Sequence, residues 1–597
     1  MTLTVDRPVV SRQPTGARAT LPLALALVAV AVLVRGAIAA TGDFYWDDLI
    51  LIARGSAYPL FSAELLGYDH DGHLMPAAFF VAGLSTRLAP LEWWLPAVTL
   101  IVAQLAAALA VLRLLRSLLG SRPVQLVPLA VFLFAPLTLP SFAWWAAGLN
   151  SLPLQFALAW VAADAVALCR TGRVRFAVSG VVVLASALAF FEKSVLVPVV
   201  AVWVVSAVYR LEGRPVRSVW RDGRTLWAGS AVVLGVWAVC YLMLVDGRFG
   251  WQGLATAGEM VWHATALGLI PALAGGPWTW ERWPPSPPWA DPPAAGVVIA
   301  WLAVAGFVVA VLWWKRRTGI VWAGVVGYVG ACLVAMVVTR SSIETAIELG
   351  QTLRYVADVS VVVAIAIALI VRAPDRRPPP RVRPVLVVGL VAVFVTAFVA
   401  SSVWSAVTFA RSWRDNPTAA YLANAKQALA SDRDTPMLDQ PVSLYVLLPF
   451  AYPYNLASRV FNGLAERPEF ADSTPDLRVL DDDGTMIGAQ VTWNRAIPQG
   501  PEPNCGFRVD GETVLPLTGP LMAYDWTAQI NYLANIDGML EVGLGHETPV
   551  EVPMKAGLHT VFVRLTGDGA SLYLRPTTPG LSPCVGAGPV GAVVPDR

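Results

Sequence analysis

Charge is what this chain has little of. Asp, Glu, Lys and Arg make up 14% of the 597 residues, hydrophobic residues make up 56%, and the net charge is +2. No basic tract suggests a nucleic-acid partner. Cysteine is scarce, with five in all, and no spacing matches a structural zinc site. The common nucleotide and hydrolase signatures are missing: no P-loop, H-E-x-x-H or G-x-S-x-G occurs. VGAGPVG near the end spells G-x-G-x-x-G, but no strand precedes it, no helix follows and a proline interrupts it.

Long apolar runs are what the chain has in abundance, and mean hydropathy is +0.59. Eleven runs read as membrane spans: 19–41, 96–116, 124–143, 151–169, 176–191, 194–211, 226–245, 294–314, 318–339, 356–371 and 384–410. The first follows a polar, Arg-bearing start, but it is long and leads to no soluble domain after a cleavage site, so it reads as a retained helix. With the N-terminus inside, every alternate connection is basic: Arg113, Arg116 and Arg122; Arg170, Arg173 and Arg175; Arg210 to Arg224; Lys315 to Arg317; and RAPDRRPPPRVR at 372–383. That pattern sets the orientation. It also settles Met75–Trp94. A span there would invert every later loop, so this stretch reads as a helix lying at the outer surface, with Trp93 and Trp94 at the interface.

The expected organisation is a cytoplasmic tail at 1–18, a membrane domain at 19–410 with its first outer loop at 42–95, an α/β connecting region at 411–474, a β-sandwich-like domain at 475–588 and a tail at 589–597. The segments after 475 alternate in polarity and are punctuated by Gly, Pro and Asp. KAGLHTVFVRLTGDGASLYLRP reads as two strands joined at GDG. The C-terminal region is expected outside the membrane, where Cys505 and Cys584 are a natural disulfide pair. Cys169, Cys240 and Cys332 lie in or beside apolar runs and read as small hydrophobes.

The densest ionisable cluster of the membrane half is the first outer loop, 42–73. Asp43, Asp47 and Asp48 open it, and Asp69, His70, Asp71 and His73 close it. Charge beside lipid is costly to keep, and its default reading is functional. The DHDGH run mixes hard and borderline ligands, so Asp69, His70 and Asp71 are candidates for a divalent cation shared with Asp47 or Asp48. Three outer-side cations, Lys193, Arg340 and Arg354, suit a phosphate arriving from the bilayer. Glu192 stands beside Lys193 as its counter-ion, and Glu344 and Glu348 lie near Arg340 and Arg354. Trp278, Trp280 and Trp283 sit in a Pro-rich outer loop, where they would stack on sugar rings or anchor the interface; Tyr524, Trp526 and Tyr532 carry the same choice between sugar stacking and core. Asp164, inside the fourth span, is expected to be paired or hydrated near the cytoplasmic end.

An inside N-terminus, an acidic pair just past the first span, about eleven spans and an outer C-terminal domain together resemble the GT-C glycosyltransferases, in particular the actinobacterial cell-envelope type. The resemblance covers about 410 residues. It implies transfer of a sugar from a polyprenyl-phosphate donor to a cell-envelope glycan or glycolipid, on the outer face of the plasma membrane. Asp47 or Asp48 would be the base, with His73 in the active site. Without the resemblance, a membrane transporter or a glycan-binding scaffold fits the same topology. A transporter of paired halves would show internal symmetry, and the sequence shows none.

Overall fold

The structure is a computed structural model describing residues 16–246, 253–340, 346–376, 384–545 and 547–596. Most of the expected N-terminal tail, Glu344 and residues 377–383 of the basic 372–383 loop lie outside the described residues. The chain divides into two compact units. One is Met1–Leu51 with Tyr58–Asn416; the other is Ile52–Ala57 with Pro417–Arg597.

The first unit is helical, as it must be where no water satisfies the backbone. Among the described residues, nine helices are long and apolar enough to cross a membrane. The elements used below are α1 (Gly16–Ala40), α2 (Asp47–Ala57), α3 (Pro76–Leu88), α4 (Trp94–Leu119), α5 (Trp145–Thr171), α6 (Val197–Glu212), α7 (Gly319–Arg340), α8 (Val359–Arg372) and α9 (Pro384–Arg414). Two of the eleven expected spans differ. The third is two pieces, Pro123–Phe134 and Pro136–Ala143, bent by 40°. Pro136 has no N–H to continue the ladder, which leaves carbonyls open. Arg35 of α1 fills the gap, donating to the Ala135 carbonyl (3.1 Å) and to Thr138 Oγ1 (2.5 Å). The fifth is a helix of 14 residues, Arg175–Leu188, followed by a 3-10 turn at Glu192–Leu196. Helix α3, between the first two spans, has 13 residues. At 1.5 Å per residue it is about 20 Å long, too short to cross.

The second unit is β-rich. The strands used below are β1 (Arg495–Ile497), β2 (Thr513–Ala534), β3 (Gly538–Leu544), β4 (Val550–Met554), β5 (Gly557–Pro576), β6 (Cys584–Val585) and β7 (Gly588–Gly591). The main sheet runs β1-β7-β2-β5-β3-β4. Alternate residues of β2 and β5 build an apolar core that includes Leu515, Ala528, Ile530, Val563 and Leu572. The hairpin expected at GDG is absent. Strand β5 runs through it as one 20-residue strand, antiparallel to β2 from Thr513↔Leu574 to Ala534↔Gly557. Gly567 (φ 137°) and Gly569 (φ 131°) bend the strand where the register slips between Pro516 and Tyr524. These glycines supply a bulge rather than a turn. Cys505 and Cys584 form a disulfide.

Candidate active site

The first outer loop turns sharply after α1. Trp46 adopts φ 48°, in the left-handed region that bulky residues avoid, and Asp47 and Asp48 open α2. The adjacent carboxylates then part company. Asp48 is wholly buried. Its Oδ2 accepts from the Tyr45 N–H (2.9 Å), and its own N–H donates to the Tyr45 carbonyl (3.0 Å), a reciprocal cap. Its Oδ1 accepts from the Ala146 N–H at the start of α5 (2.7 Å). Burial drives the Asp48 carboxyl well above the usual carboxylate range, against the pull of those two N–H groups. Both oxygens are occupied, so Asp48 fastens the loop to the N-terminus of α5.

Asp47 keeps 28% of its side chain open. His70 Nε2 lies 3.7 Å from Oδ1. Burial pushes this carboxyl up, but the neighbouring His70, with Arg354 and Arg340 adding to it, holds it below its ordinary value. Burial pushes the His70 imidazole down, and Asp47 with Asp71 outweighs it, so His70 titrates above its usual value. Asp47 is therefore an ionised, accessible carboxylate among cations.

His73 reaches this neighbourhood from a two-residue hairpin. Asp69–His70 pairs with His73–Leu74 across a turn at Asp71 (φ 50°) and Gly72 (φ 85°), the left-handed pair that an Asp-Gly turn supplies. His73 Nδ1 lies 2.7 Å from Glu192 Oε1, and its Nε2 lies 2.5 Å from Arg340 Nη2. Glu192, His73 and Arg340 thus form one relay from the 3-10 turn to the end of α7. Arg354 follows Leu353, which holds φ 59°. Its Nη2 donates to Tyr355 Oη (2.8 Å), and its guanidinium lies 4.5 Å from the centre of the Trp144 ring. Arg354 Nη1 is buried without a hydrogen-bond partner among the described residues. An unfilled guanidinium nitrogen near an open carboxylate suits an anionic ligand.

Lys193 is differently placed. Its Nζ contacts Asp358 Oδ1 (2.7 Å) and the Tyr355 carbonyl (2.8 Å), and Asp358 also accepts from Tyr328 Oη. Glu192 turns to His73 and not to Lys193, because successive residues of a 3-10 turn point about 120° apart. Lys193 therefore joins the 3-10 turn to the base of α8. The signal for this pairing was Asp358, a single acid at the start of an apolar span.

The loop tryptophans pack on α9. Trp278 Nε1 donates to Ser401 Oγ (2.7 Å), and Trp280 Nε1 donates to the Ser405 carbonyl (3.0 Å). Trp283 stays 62% exposed, edge-on to Trp289. Arg282 donates to the Ser412 (2.9 Å) and Asp415 (2.6 Å) carbonyls, and Tyr45 Oη donates to the Pro285 carbonyl. This loop therefore straps the turn that carries Asp47, a link that no motif announced.

The DHDGH run does not gather into a metal cage. Asp69 accepts from the Gly72 N–H (2.7 Å) and the Asp246 N–H (3.2 Å), while His70 faces Asp47. Among the described residues, no three His, Cys, Asp or Glu groups are placed to hold an ion. Both Asp69 oxygens are spent on backbone N–H groups, one in the hairpin and one at Asp246. Asp164, the lone acid of α5, pairs with Arg113 at 2.5 Å.

The chain matches no protein-family profile and no curated protein. In three dimensions it is similar to ArnT from Cupriavidus metallidurans bound to undecaprenyl phosphate, with 14% identity, a TM-score of 0.43, and 75% of this chain and 89% of that chain covered. It is also similar to the arabinofuranosyltransferase AftD from Mycobacteria (13% identity, TM-score 0.33, 96% of this chain and 59% of that chain). A third similar structure is the arabinosyltransferase EmbB from Mycobacterium smegmatis (13% identity, TM-score 0.30, 100% of this chain and 66% of that chain). All three are GT-C membrane glycosyltransferases.

Proposed function

We propose that this protein is a membrane glycosyltransferase that moves a sugar from a polyprenyl-phosphate donor to a cell-envelope glycan or glycolipid on the outer face. The observation that carries the reading is Asp47: a partly open carboxylate just past the first span, faced by His70 and lying in the field of Arg340 and Arg354. The acceptor hydroxyl oxygen attacks the anomeric carbon. As that bond forms, the hydroxyl proton passes to Asp47. The bond from the anomeric carbon to the phosphate oxygen breaks, and its electron pair leaves with the phosphate. Arg354 and Arg340 stabilise the developing charge. The Glu192 contact holds His73, which in turn sets the Arg340 guanidinium. A single displacement with one base inverts the anomeric centre. Lys193 acts here as a positioning residue through Asp358, and Trp283 is the loop aromatic left open to a sugar face.

The test is transfer by the purified protein in lipid, using a panel of radiolabelled polyprenyl-phosphate sugars and cell-wall glycan acceptors, with and without EDTA. Transfer from one donor is the expected result. Silence from the whole panel with folded protein contradicts the reading and favours a transporter or scaffold.

A further inference from the structure

The end of α4 that the basic loops assign to the cytoplasm carries a groove of about 320 Å³ lined by Leu109, Leu112, Arg113 and Arg116. Its two cations differ. Arg113 is committed: one nitrogen meets Asp164 at 2.5 Å, another donates to the Trp160 carbonyl at 3.2 Å, and the guanidinium lies 4.1 Å from the centre of the Trp160 ring. Arg116 is exposed and has no side-chain partner among the described residues. Nearby, Arg170 donates to the Ser117 carbonyl and Arg372 donates to the Leu118 carbonyl, and these two arginines share one carboxylate, Glu212. Four arginines therefore meet two carboxylates, Asp164 and Glu212, and positive charge remains at the rim.

Below the rim the surface is apolar and open. Val98 (45% exposed), Val102 (60%), Leu105 (39%) and Leu109 (41%) lie at helical spacing on one face of α4, and Arg116 continues the same line. Leu109 and Leu105 lie about 10 and 16 Å below Arg116 along the helix, about the depth of one leaflet, half of the roughly 30 Å hydrocarbon core. A cation at the interface above an apolar track of that depth fits a molecule with a phosphate head and an acyl chain. A free anion would use only the rim.

We propose that this groove binds an anionic glycerophospholipid of the cytoplasmic leaflet, with its phosphate on Arg116 and an acyl chain along Leu109 and Leu105. The site lies on the opposite side of the membrane from the proposed chemistry. It depends on the membrane orientation alone, so it stands or falls separately from the catalytic reading. Exposed cations at the cytoplasmic interface have the right field for such headgroups.

The experiment counts bound lipid by native mass spectrometry on detergent-purified protein given equal amounts of phosphatidylglycerol and phosphatidylcholine. Wild type should retain phosphatidylglycerol over phosphatidylcholine by about fivefold. Arg116→Glu and the milder Arg116→Gln should lose that preference, whereas Arg217→Glu, at another exposed basic position, should keep it. If Arg116→Glu fails to fold, Arg116→Gln gives the same reading. No preference in wild type overturns the proposal, as does an equal loss in Arg217→Glu, which would mean diffuse surface charge. Displacement of the lipid by millimolar inorganic phosphate would assign the rim to a free anion and also overturn it.

Discussion

The membrane region and the C-terminal region treat charge in opposite ways. Within the membrane region Arg35, Asp48, His70, Asp164 and Asp358 are buried, and each has a named partner. From residue 417 onward no charged side chain is fully buried among the described residues, and the polar side chains buried in the β sheet, such as Thr527 and Thr474, are neutral. Burying a charge is expensive unless it is paired, so a charge kept inside is kept for position or chemistry. A surface charge carries no such implication. The difference says where substitutions should change rate and where they should change only stability.

The largest expected effect is at Asp47. Asp47→Asn should lower kcat/KM for sugar transfer about a thousandfold, far more than the modest loss of melting temperature expected from the broken His70 pair. Next come the cations. Arg354→Gln should cost about a hundredfold in kcat, more than it raises KM, since it serves charge that grows in the transition state. An equal loss at an exposed basic residue such as Arg217 would erase the contrast between paired interior charge and surface charge. In the β region the dominant bond is covalent. Replacing both Cys505 and Cys584 by Ser should cost about 2–4 kcal/mol, because the disulfide closes 79 residues. The molecules that remain folded should be as active as before. Asp48→Asn should cost about 2 kcal/mol of stability, because an amide NH2 would face a backbone N–H. A variant at Asp48 that is stable but inactive would merge the two acids into one role.

The smallest effect is a shift in pH. Asp47 is held low by His70, so its carboxylate is present above that low value and is lost as pH falls through it. In His70→Gln the burial contribution remains and the largest lowering partner is gone. The acid limb of kcat/KM should therefore move to higher pH, and the free-enzyme profile reads it directly. No movement would mean that Asp47 is not the group that titrates.

Much of the membrane region was legible in the sequence because hydropathy and basic loops are additive along the chain. The short helix α3 is an example: the loop charges alone ruled out a span there. The break at Ala135 was not legible, since its cost is met by Arg35, 100 residues earlier. The site was legible as residue types but not as partners. Asp47 and Asp48 read alike in sequence, and only the approach of the α5 N-terminus separates them. Glu192 and Lys193, adjacent in the chain, face different neighbours. In the β region the alternation was visible, but glycines at 567 and 569 serve a turn or a bulge equally well. The strand paired opposite decides which.

The most direct test of the central claim is chemical rescue. Asp47→Ala is measured in single-turnover transfer from the active donor, with and without added formate. The account predicts a rate about a thousandfold below wild type, raised by formate as a free carboxylate takes the acceptor proton. Wild-type transfer by Asp47→Ala without formate would contradict it.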